Sequence, residues 1–245
     1  MANAEQPAPK FVIVDSSDVL ESIESKAPVK SSSKDEFAER GIIHPSMKDT
    51  RVLNAFRNLR TSLLPKMESY NSCLLVSSVV QGGGASFNAI NLAAAFTLDR
   101  QRSALLVDCN FRHPSLADAL GVDAPYGLYD FVTDQIDDID RMIYPTIVPR
   151  LQLVPCGQIA EEEHVEFFTG ERMRAFLHEA KNQDPNRIII LDAPPILDSA
   201  DTPILSELVD YVLLVLPYRG ASASKIDKTI KVMGNDKIIG FVLNN

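Results

Sequence analysis

Residues 77–95 read SSVVQGGGASFNAINLAAA and follow the short apolar run CLLV at residues 73–76. An apolar strand, a glycine-rich turn and a helical stretch, in that order, are typical of a phosphate-binding loop, where backbone N–H groups and a helix N-terminus hold phosphate oxygens. The usual loop has lysine immediately before a Ser or Thr, but this chain has Ala85 before Ser86. The segment therefore predicts a phosphate cradle that lacks its usual positive charge.

The rest of the chain alternates apolar runs with stretches of helical spacing. The runs are residues 73–78, 104–108, 151–155, 187–192, 211–216 and 237–243, and the helical stretches are residues 86–99, 171–182, 200–209 and 222–233. Because apolar residues follow one another instead of alternating with polar ones, we expect strands that are covered on both faces. This order predicts an α/β fold, with a doubly wound, mainly parallel sheet and helices on both faces.

The 245 residues are enough for one sizeable core. We expect residues 1–48 to be a flexible tail, because Ser, Lys, Glu, Ala and Pro dominate there and little apolar surface is available for burial. Within it, FVIVD at residues 11–15 is apolar enough for a short strand or a docking peptide. Residues 49–245 are predicted to form the folded domain, which begins with an amphipathic helix over residues 49–63.

The composition argues against several classes of protein. A net charge of -9 and a pI near 5.0 do not suit a nucleic-acid surface, which needs clustered Lys and Arg. The three cysteines are scattered among apolar runs, so we expect neither disulfides nor a zinc site, and a reducing cytoplasm is the expected location. The four histidines are also scattered, and we expect no metal or catalytic role for them. The sequence leads us to expect neither a signal peptide nor a membrane span.

Polar or glycine residues directly follow three of the apolar runs. They are Gly82, Gly83, Gly84 and Ser86 after the first run, Asp108, Asn110 and Arg112 after the second, and Asp192, Pro194 and Pro195 after the fourth. Each group alone has a simpler explanation, because glycines form tight turns and an aspartate at a strand end caps nearby backbone N–H groups. In parallel sheets, however, ligands bind at the carboxyl ends of strands, so the three groups together predict one site.

The loop and the segments LLVDCNFRHP (residues 105–114) and IIILDAPP (residues 188–195) occur in an order and spacing known from one family. From about residue 50 to residue 245 the chain resembles the bacterial tyrosine kinases of the capsular and exopolysaccharide type, which are related to septum-positioning and plasmid-partitioning ATPases of the P-loop NTPase type.

The resemblance implies ATP and Mg²⁺ as cofactors. It implies cofactor contacts from Gly82, Gly83, Gly84, Ala85, Ser86, Phe87 and Asn244, with Asn244 near the base, catalytic roles for Asp108, Asp192 and Arg112, and metal binding by Ser86, Asp108 and Asp192. Gly127, Leu128 and Asp130 match a further segment of the family.

The sequence departs from the family pattern at positions that carry charge. Ala85 replaces the loop lysine, Asn110 replaces the second aspartate of a DxDxR motif, and Asn54 replaces the glutamate of an ExxRxxR helix that mediates ring assembly. The family's tail of clustered tyrosines is not part of this sequence, whose six tyrosines are dispersed. We therefore do not expect the usual autophosphorylation.

We interpret the sequence first as a kinase-like regulator of polysaccharide polymerisation or export that has lost phosphoryl transfer. The resemblance implies an inner-membrane co-polymerase or chain-length protein as partner, and hence a cytoplasmic location at the periphery of that membrane. A second copy of the chain is a further candidate partner, and nucleic acid is not an expected one. Two alternatives stay open: an active tyrosine kinase completed by a Lys or Arg of a neighbouring chain, and a scaffold of the partitioning-ATPase type.

Asn54→Glu should promote self-assembly, because the new carboxylate would pair with an arginine of a neighbouring subunit through charge-assisted hydrogen bonds. Light scattering at micromolar concentration should detect larger species for Asn54→Glu than for the wild type. Asn54→Gln, which has the same length without the charge, is the matched control. A stable large ring formed by the wild type would contradict the prediction.

Overall fold

The described residues of the computed structural model are 11–14, 37, 40–44, 47, 50–159, 168, 170–218, 221–234 and 236–244, with residues 11–14 described by their backbone alone. They contain one eight-stranded sheet. Its strands are β1 (Phe11–Val14), β2 (Cys73–Ser78), β3 (Ser103–Asp108), β4 (Tyr144–Pro145), β5 (Leu151–Val154), β6 (Arg187–Asp192), β7 (Tyr211–Pro217) and β8 (Ile238–Asn244). The spatial order is β1-β8-β7-β2-β6-β3-β5-β4, and every neighbouring pair is parallel except β4 with β5.

Seven α-helices are present among the described residues. They are α1 (Thr50–Leu63), α2 (Ala85–Phe96), α3 (Leu116–Leu120), α4 (Leu128–Val132), α5 (Glu171–Gln183), α6 (Asp201–Leu208) and α7 (Ala223–Met233). Within the described part of the chain, no helix has the length and apolar character needed to cross a bilayer.

The sheet separates two apolar clusters, one on each face. Along β2, for example, Leu74 and Val76 belong to one cluster, and Cys73 and Leu75 belong to the other. Because successive side chains of a strand point to opposite faces, a strand buried on both sides needs apolar residues at every position. This is why the sequence has continuous apolar runs, and the predicted α/β fold with a mainly parallel sheet is confirmed.

The six predicted runs correspond to β2, β3, β5, β6, β7 and β8, with ends that agree within one residue. Sequence analysis did not identify α3, α4 and β4. These elements have five residues or fewer, so none is long enough to show a helical or alternating period.

Two described parts of the predicted tail contact the domain. β1 pairs in parallel with β8 and so forms one edge of the sheet, which agrees with the strand interpretation of residues 11–14. Phe37, Ile42 and Ile43 are buried in the same apolar cluster as α1 and α2. The predicted domain boundary after residue 48 therefore lies C-terminal to side chains that pack in the core, and the remaining tail residues lie outside the described part of the chain.

A buried amide ties residues 42–44 to the helix that follows the glycine loop. The Asn91 side chain is fully buried in α2, and its Oδ1 accepts a hydrogen bond from Ile43 N at 2.8 Å. Its Nδ2 donates to Phe87 O at 3.1 Å. The side chain thus satisfies a buried backbone N–H group that has no strand or helix to bond it.

Asn91→Ala should lower the free energy of unfolding by about 1–3 kcal/mol, the usual cost of leaving a buried polar group unpaired. Urea denaturation followed by circular dichroism measures the change. Asn58→Ala, at an exposed position of α1, is the control and should change stability by less than about 0.5 kcal/mol. If both variants unfold alike, residues 42–44 do not pack on α2 in solution.

Candidate phosphate-binding site

The three predicted groups of residues lie at one edge of the sheet, because β2, β6 and β3 are parallel neighbours and end together. Asp192 ends β6 and Asp108 ends β3, and the two residues are directly opposite each other in the register. The glycine loop follows β2, which pairs in parallel with β6. Hydrogen bonds join the first and third groups, because Ser77 Oγ donates to Pro194 O at 2.7 Å and Ile196 N donates to Ser78 O at 3.1 Å.

The glycines of the loop meet specific steric needs. Gly82 and Gly84 have φ values of 70° and 87°, in the left-handed region that side chains disfavour. A Cβ atom on Gly84 would also lie 2.2 Å from Asn244 Nδ2, and one on Gly83 would lie 2.7 Å from Ser78 Cβ. The loop conformation therefore requires glycine at residues 83 and 84.

The loop leaves backbone donors open at the start of α2. A tight turn precedes the helix, in which Gly83 N donates to Val80 O at 3.2 Å and Ser78 Oγ donates to the same oxygen at 2.7 Å. The first helical hydrogen bond is donated by Asn88 N to Gly84 O, at 3.1 Å. The N–H groups of residues 85–87 precede it, so they are the donors that a helix N-terminus offers to an anion.

Asn244 lies beneath this loop and not at an open surface. Its side chain is buried, its Nδ2 donates to Gly83 O at 3.3 Å, and its Oδ1 accepts from Asn88 Nδ2 at 3.2 Å. Asn88 Nδ2 also donates to Gly84 O at 2.8 Å. The side chains of Asn88 and Asn244 thus support the loop on its buried side. The family resemblance instead implied that Asn244 lies near a nucleotide base.

Phe87 packs its side chain in the apolar core. Its side chain is 4% exposed and packs edge-to-face on Phe56 of α1, with ring centroids 5.9 Å apart. Its N–H group belongs to the first turn of α2, while its ring belongs to the core. Ala85 and Ser86, in contrast, are partly exposed.

Asp108 organises the loop that follows β3. Its Oδ1 accepts from Asn110 N at 3.1 Å, and its Oδ2 accepts from Ser115 N at 3.0 Å and from Leu116 N at 3.1 Å. Burial raises the pKa of this carboxyl to about 6, although the three backbone hydrogen bonds oppose the rise. The carboxylate caps the start of α3 and fixes the loop that carries Arg112.

Asp192 is also buried, but among the described residues it lacks the backbone hydrogen bonds that Asp108 accepts. Within the described residues, neither of its carboxylate oxygens has a hydrogen-bond partner of good geometry. Burial raises its pKa well above the usual range, the neighbouring Asp108 charge raises it further, and the nearby Ser86 hydroxyl opposes the rise. An unpaired buried carboxylate is costly, so this position suits a proton or a bound cation.

The residues present fit a divalent cation on one side of the loop. The free oxygens of Asp192 and the hydroxyl of Ser86 are hard oxygen ligands, the kind that Mg²⁺ prefers together with phosphate oxygens and water. In the described part of the chain, no group of three or more His, Cys, Asp or Glu side chains is arranged to bind a metal by itself. A cation here would therefore depend on the phosphate groups for its remaining ligands.

Arg112 and Asn110 lie in the loop after β3. The Arg112 side chain is exposed, and the loop around it is closed by His113 N, which donates to Asn110 O at 3.1 Å. The segment at residues 127–130, which matches a further part of the family pattern, contacts the loop that follows β5. Leu128 N donates to Pro155 O of that loop at 2.8 Å, and within the segment Gly127 N donates to Asp130 Oδ2 at 2.7 Å.

Sequence analysis missed Asn88 and Ser78, which shape the loop without facing its open side. A signal for Asn88 was present, because Asn88 and Asn91 are the two amide side chains in an otherwise largely apolar helix. Ser78 gave no such signal, since a serine at a strand end is common.

The fold and the glycine loop together define a domain of the P-loop NTPase type. The solved kinase domain of Escherichia coli tyrosine kinase ETK superposes on the chain with a TM-score of 0.72 at 24% identity, covering 80% of this chain and 76% of that one. The cell division ATPase MinD of Pyrococcus furiosus superposes with a TM-score of 0.59 at 26% identity, covering 71% of this chain and 72% of that one. No family model matches the chain.

In sequence, the chain is similar to proteins named as tyrosine-protein kinases. It is 29% identical over 199 residues to the putative tyrosine-protein kinase EpsB of Ralstonia solanacearum, and 27% identical over 197 residues to the tyrosine-protein kinase wzc of Salmonella typhi. These matches cover 80% and 79% of this chain but only 26% and 27% of the relatives, so the chain spans about a quarter of their length. The resemblance predicted from the motifs is confirmed.

The buried carboxylates predict an unusual dependence of stability on pH. Because the pKa values of Asp108 and Asp192 are higher in the folded state than in the unfolded state, the folded state binds their protons more tightly. Their contribution to stability is therefore complete at acidic pH and is lost as pH rises through the folded-state values, from about 4 through about 6 and above.

Asp192→Asn should stabilise the metal-free protein at pH 8, by an amount on the order of 1 kcal/mol per unit of pKa shift removed. It should also weaken the loss of stability between pH 5 and pH 8. Urea denaturation in the presence of EDTA measures both effects. Asp198→Asn, at an exposed position in the same loop, is the control. A variant that is less stable than the wild type at pH 8 would contradict the prediction.

Proposed function

We propose that this chain is a kinase-like regulator of capsular or exopolysaccharide polymerisation or export, which binds a nucleotide weakly and does not transfer its phosphate. The similarity to proteins named as tyrosine-protein kinases supports the kinase-like part. The open N–H groups at the start of α2 support binding of phosphate. The proposed cofactors are ATP and Mg²⁺, held by residues 82–87 together with Asp192.

The observation that carries the proposal is Ala85 at the first position of α2. Backbone donors remain in place around it, but the ammonium group that would stabilise the transferring phosphoryl group is absent from this position. One preorganised donor or charge of this kind is worth roughly 2.7–4 kcal/mol, or a factor of about 10² to 10³ in rate. Ground-state binding loses less, because the loop backbone still contacts the phosphates.

The two lysines nearest the loop in the sequence are engaged elsewhere. No lysine occurs in the sequence between Lys66 and Lys181. Lys66 Nζ donates to Ile239 O at 2.8 Å, and Lys181 Nζ pairs with Asp210 Oδ2 at 2.7 Å. The side chains that bracket the loop in sequence are therefore already bonded to other elements.

A bound Mg²⁺ would supply positive charge at the phosphates. In the proposal, Asp192 and Ser86 hold that ion, and Asp108 fixes the neighbouring loop so that Arg112 can reach phosphate oxygens. Because the Asp192 oxygens have no hydrogen bond of good geometry among the described residues, nucleotide binding should require a divalent cation.

The proposed partner is an inner-membrane co-polymerase or chain-length protein, which would hold the chain at the cytoplasmic face of that membrane. This part of the proposal rests on the family resemblance. A regulator that senses nucleotide without consuming it would act by binding such a partner differently in its two states.

A second candidate is an active tyrosine kinase completed in trans. The cradle is intact and only charge is missing, and a cation from a neighbouring chain can replace one in the loop, as arginine fingers do. The partner would then contribute a Lys or Arg side chain near residue 85.

Ala85→Lys should raise ATP hydrolysis and phosphate transfer to an added tyrosine peptide above the negligible wild-type level, and Ala85→Lys with Asn110→Asp should raise them further. The expected gain is roughly 10²-fold, the value of one restored charge. Ala85→Gln, which adds length without charge, is the control.

Robust transfer by the purified wild type alone would contradict the proposal. Transfer that appears only when the membrane partner is added would support the second candidate instead.

A further inference from the structure

Among the described residues, the strand ends on the two sides of the glycine loop differ in charge. On one side, β6 and β3 end in the buried carboxylates Asp192 and Asp108. On the other side, β7 and β8 end in Pro217 and Asn244, which are register partners and uncharged. A nucleotide whose phosphates lie on the loop and whose cation lies beside Asp192 would extend its uncharged base toward the ends of β7 and β8.

An exposed aromatic residue lies at the ends of β7 and β8. Tyr218 directly follows β7, and its backbone N donates to Asn244 O at 2.7 Å. Since the Asn244 side chain contacts Gly83 and Gly84, the Tyr218 backbone is one hydrogen bond away from a residue that touches the loop. Its position relative to the loop is therefore fixed by the sheet.

The Tyr218 side chain is 60% exposed, more than any other large apolar side chain of the described residues. The remaining five tyrosines are partly or fully buried. No other tyrosine or phenylalanine ring of the described residues is exposed to this degree, and an exposed ring at the end of a strand is available to a flat ligand.

The Asn244 side chain is already engaged and is not the group that we expect to contact the base. Its Oδ1 accepts from Asn88 Nδ2 and its Nδ2 donates to Gly83 O, so its amide is engaged beneath the loop. Base recognition by that side chain would break contacts that support the cradle.

We propose that the Tyr218 ring is the platform on which the base of a purine nucleoside di- or triphosphate stacks. The proposal rests on the nucleotide binding proposed above. Aromatic rings stack on any nucleobase, because every base has a π-face. The site should therefore accept ATP and GTP with similar affinity, since stacking does not distinguish their ring edges.

The test measures binding of Mg-ADP, Mg-GDP and magnesium tripolyphosphate, which has no base, by isothermal titration calorimetry. Tyr218→Ala should weaken Mg-ADP and Mg-GDP binding by roughly 5- to 150-fold, the measured range for loss of one base stack. Binding of magnesium tripolyphosphate should not change. Tyr218→Phe keeps the ring and should retain affinity for both nucleotides.

Two controls separate stacking from general effects. Leu98→Ala removes another exposed apolar side chain, 42% exposed and located beyond the opposite end of α2, and should leave binding unchanged. The same series in the Ala85→Lys background, where the loop charge is restored, provides tighter binding if the wild-type affinity is too low to measure.

Three outcomes would overturn the proposal. Tyr218→Ala could bind Mg-ADP as the wild type does, it could lose magnesium tripolyphosphate equally, or no nucleotide could bind in either background. The first two would leave nucleotide binding itself intact, and only the third would also contradict the proposed function.

Discussion

The contact between Asn244 and Gly84 is the constraint on which the site depends. Residue 84 has no room for a side chain, because a methyl group there would lie 2.2 Å from Asn244 Nδ2. The contact joins the loop after β2 to the end of β8, and the Asn244–Gly83 hydrogen bond spans 161 residues of sequence. Since Asn88 bonds both Gly84 and Asn244, the direction of α2 is set by the same group of atoms. These contacts fix the loop against α2 and β8.

The charge of the site is balanced in a different way from that of the family it resembles. The pattern of the family has a lysine where this chain has Ala85 and an aspartate where it has Asn110. One positive and one negative charge are missing together, so the net charge of the site is unchanged by the two differences combined. Asp108 and Asp192 remain, one held by three backbone N–H groups and the other by none among the described residues. A site arranged in this way retains the glycine loop and two of the carboxylates, without the lysine and the second aspartate of the family pattern.

Most of the fold could be predicted, because strands buried on both faces must be apolar at every position and helices must separate them. The meeting of Asp108, Asp192 and the loop also followed, since parallel strands end at one edge. The directions in which individual side chains point could not be predicted. Phe87 and Asn244 have the right positions in the sequence, but the Phe87 ring turns to Phe56 and the Asn244 amide turns beneath the loop. Side-chain direction is decided by packing between distant elements, which a motif does not encode.

The position of β1 has a consequence for how the protein behaves at high concentration. Without β1, the seven-residue strand β8 would form the edge of the sheet and present a row of unpaired backbone groups to other molecules. β1 covers four of those residues, and the opposite edge is the two-residue strand β4, which is too short to template pairing. The strand edge left open on this side is thereby shortened from seven residues to four.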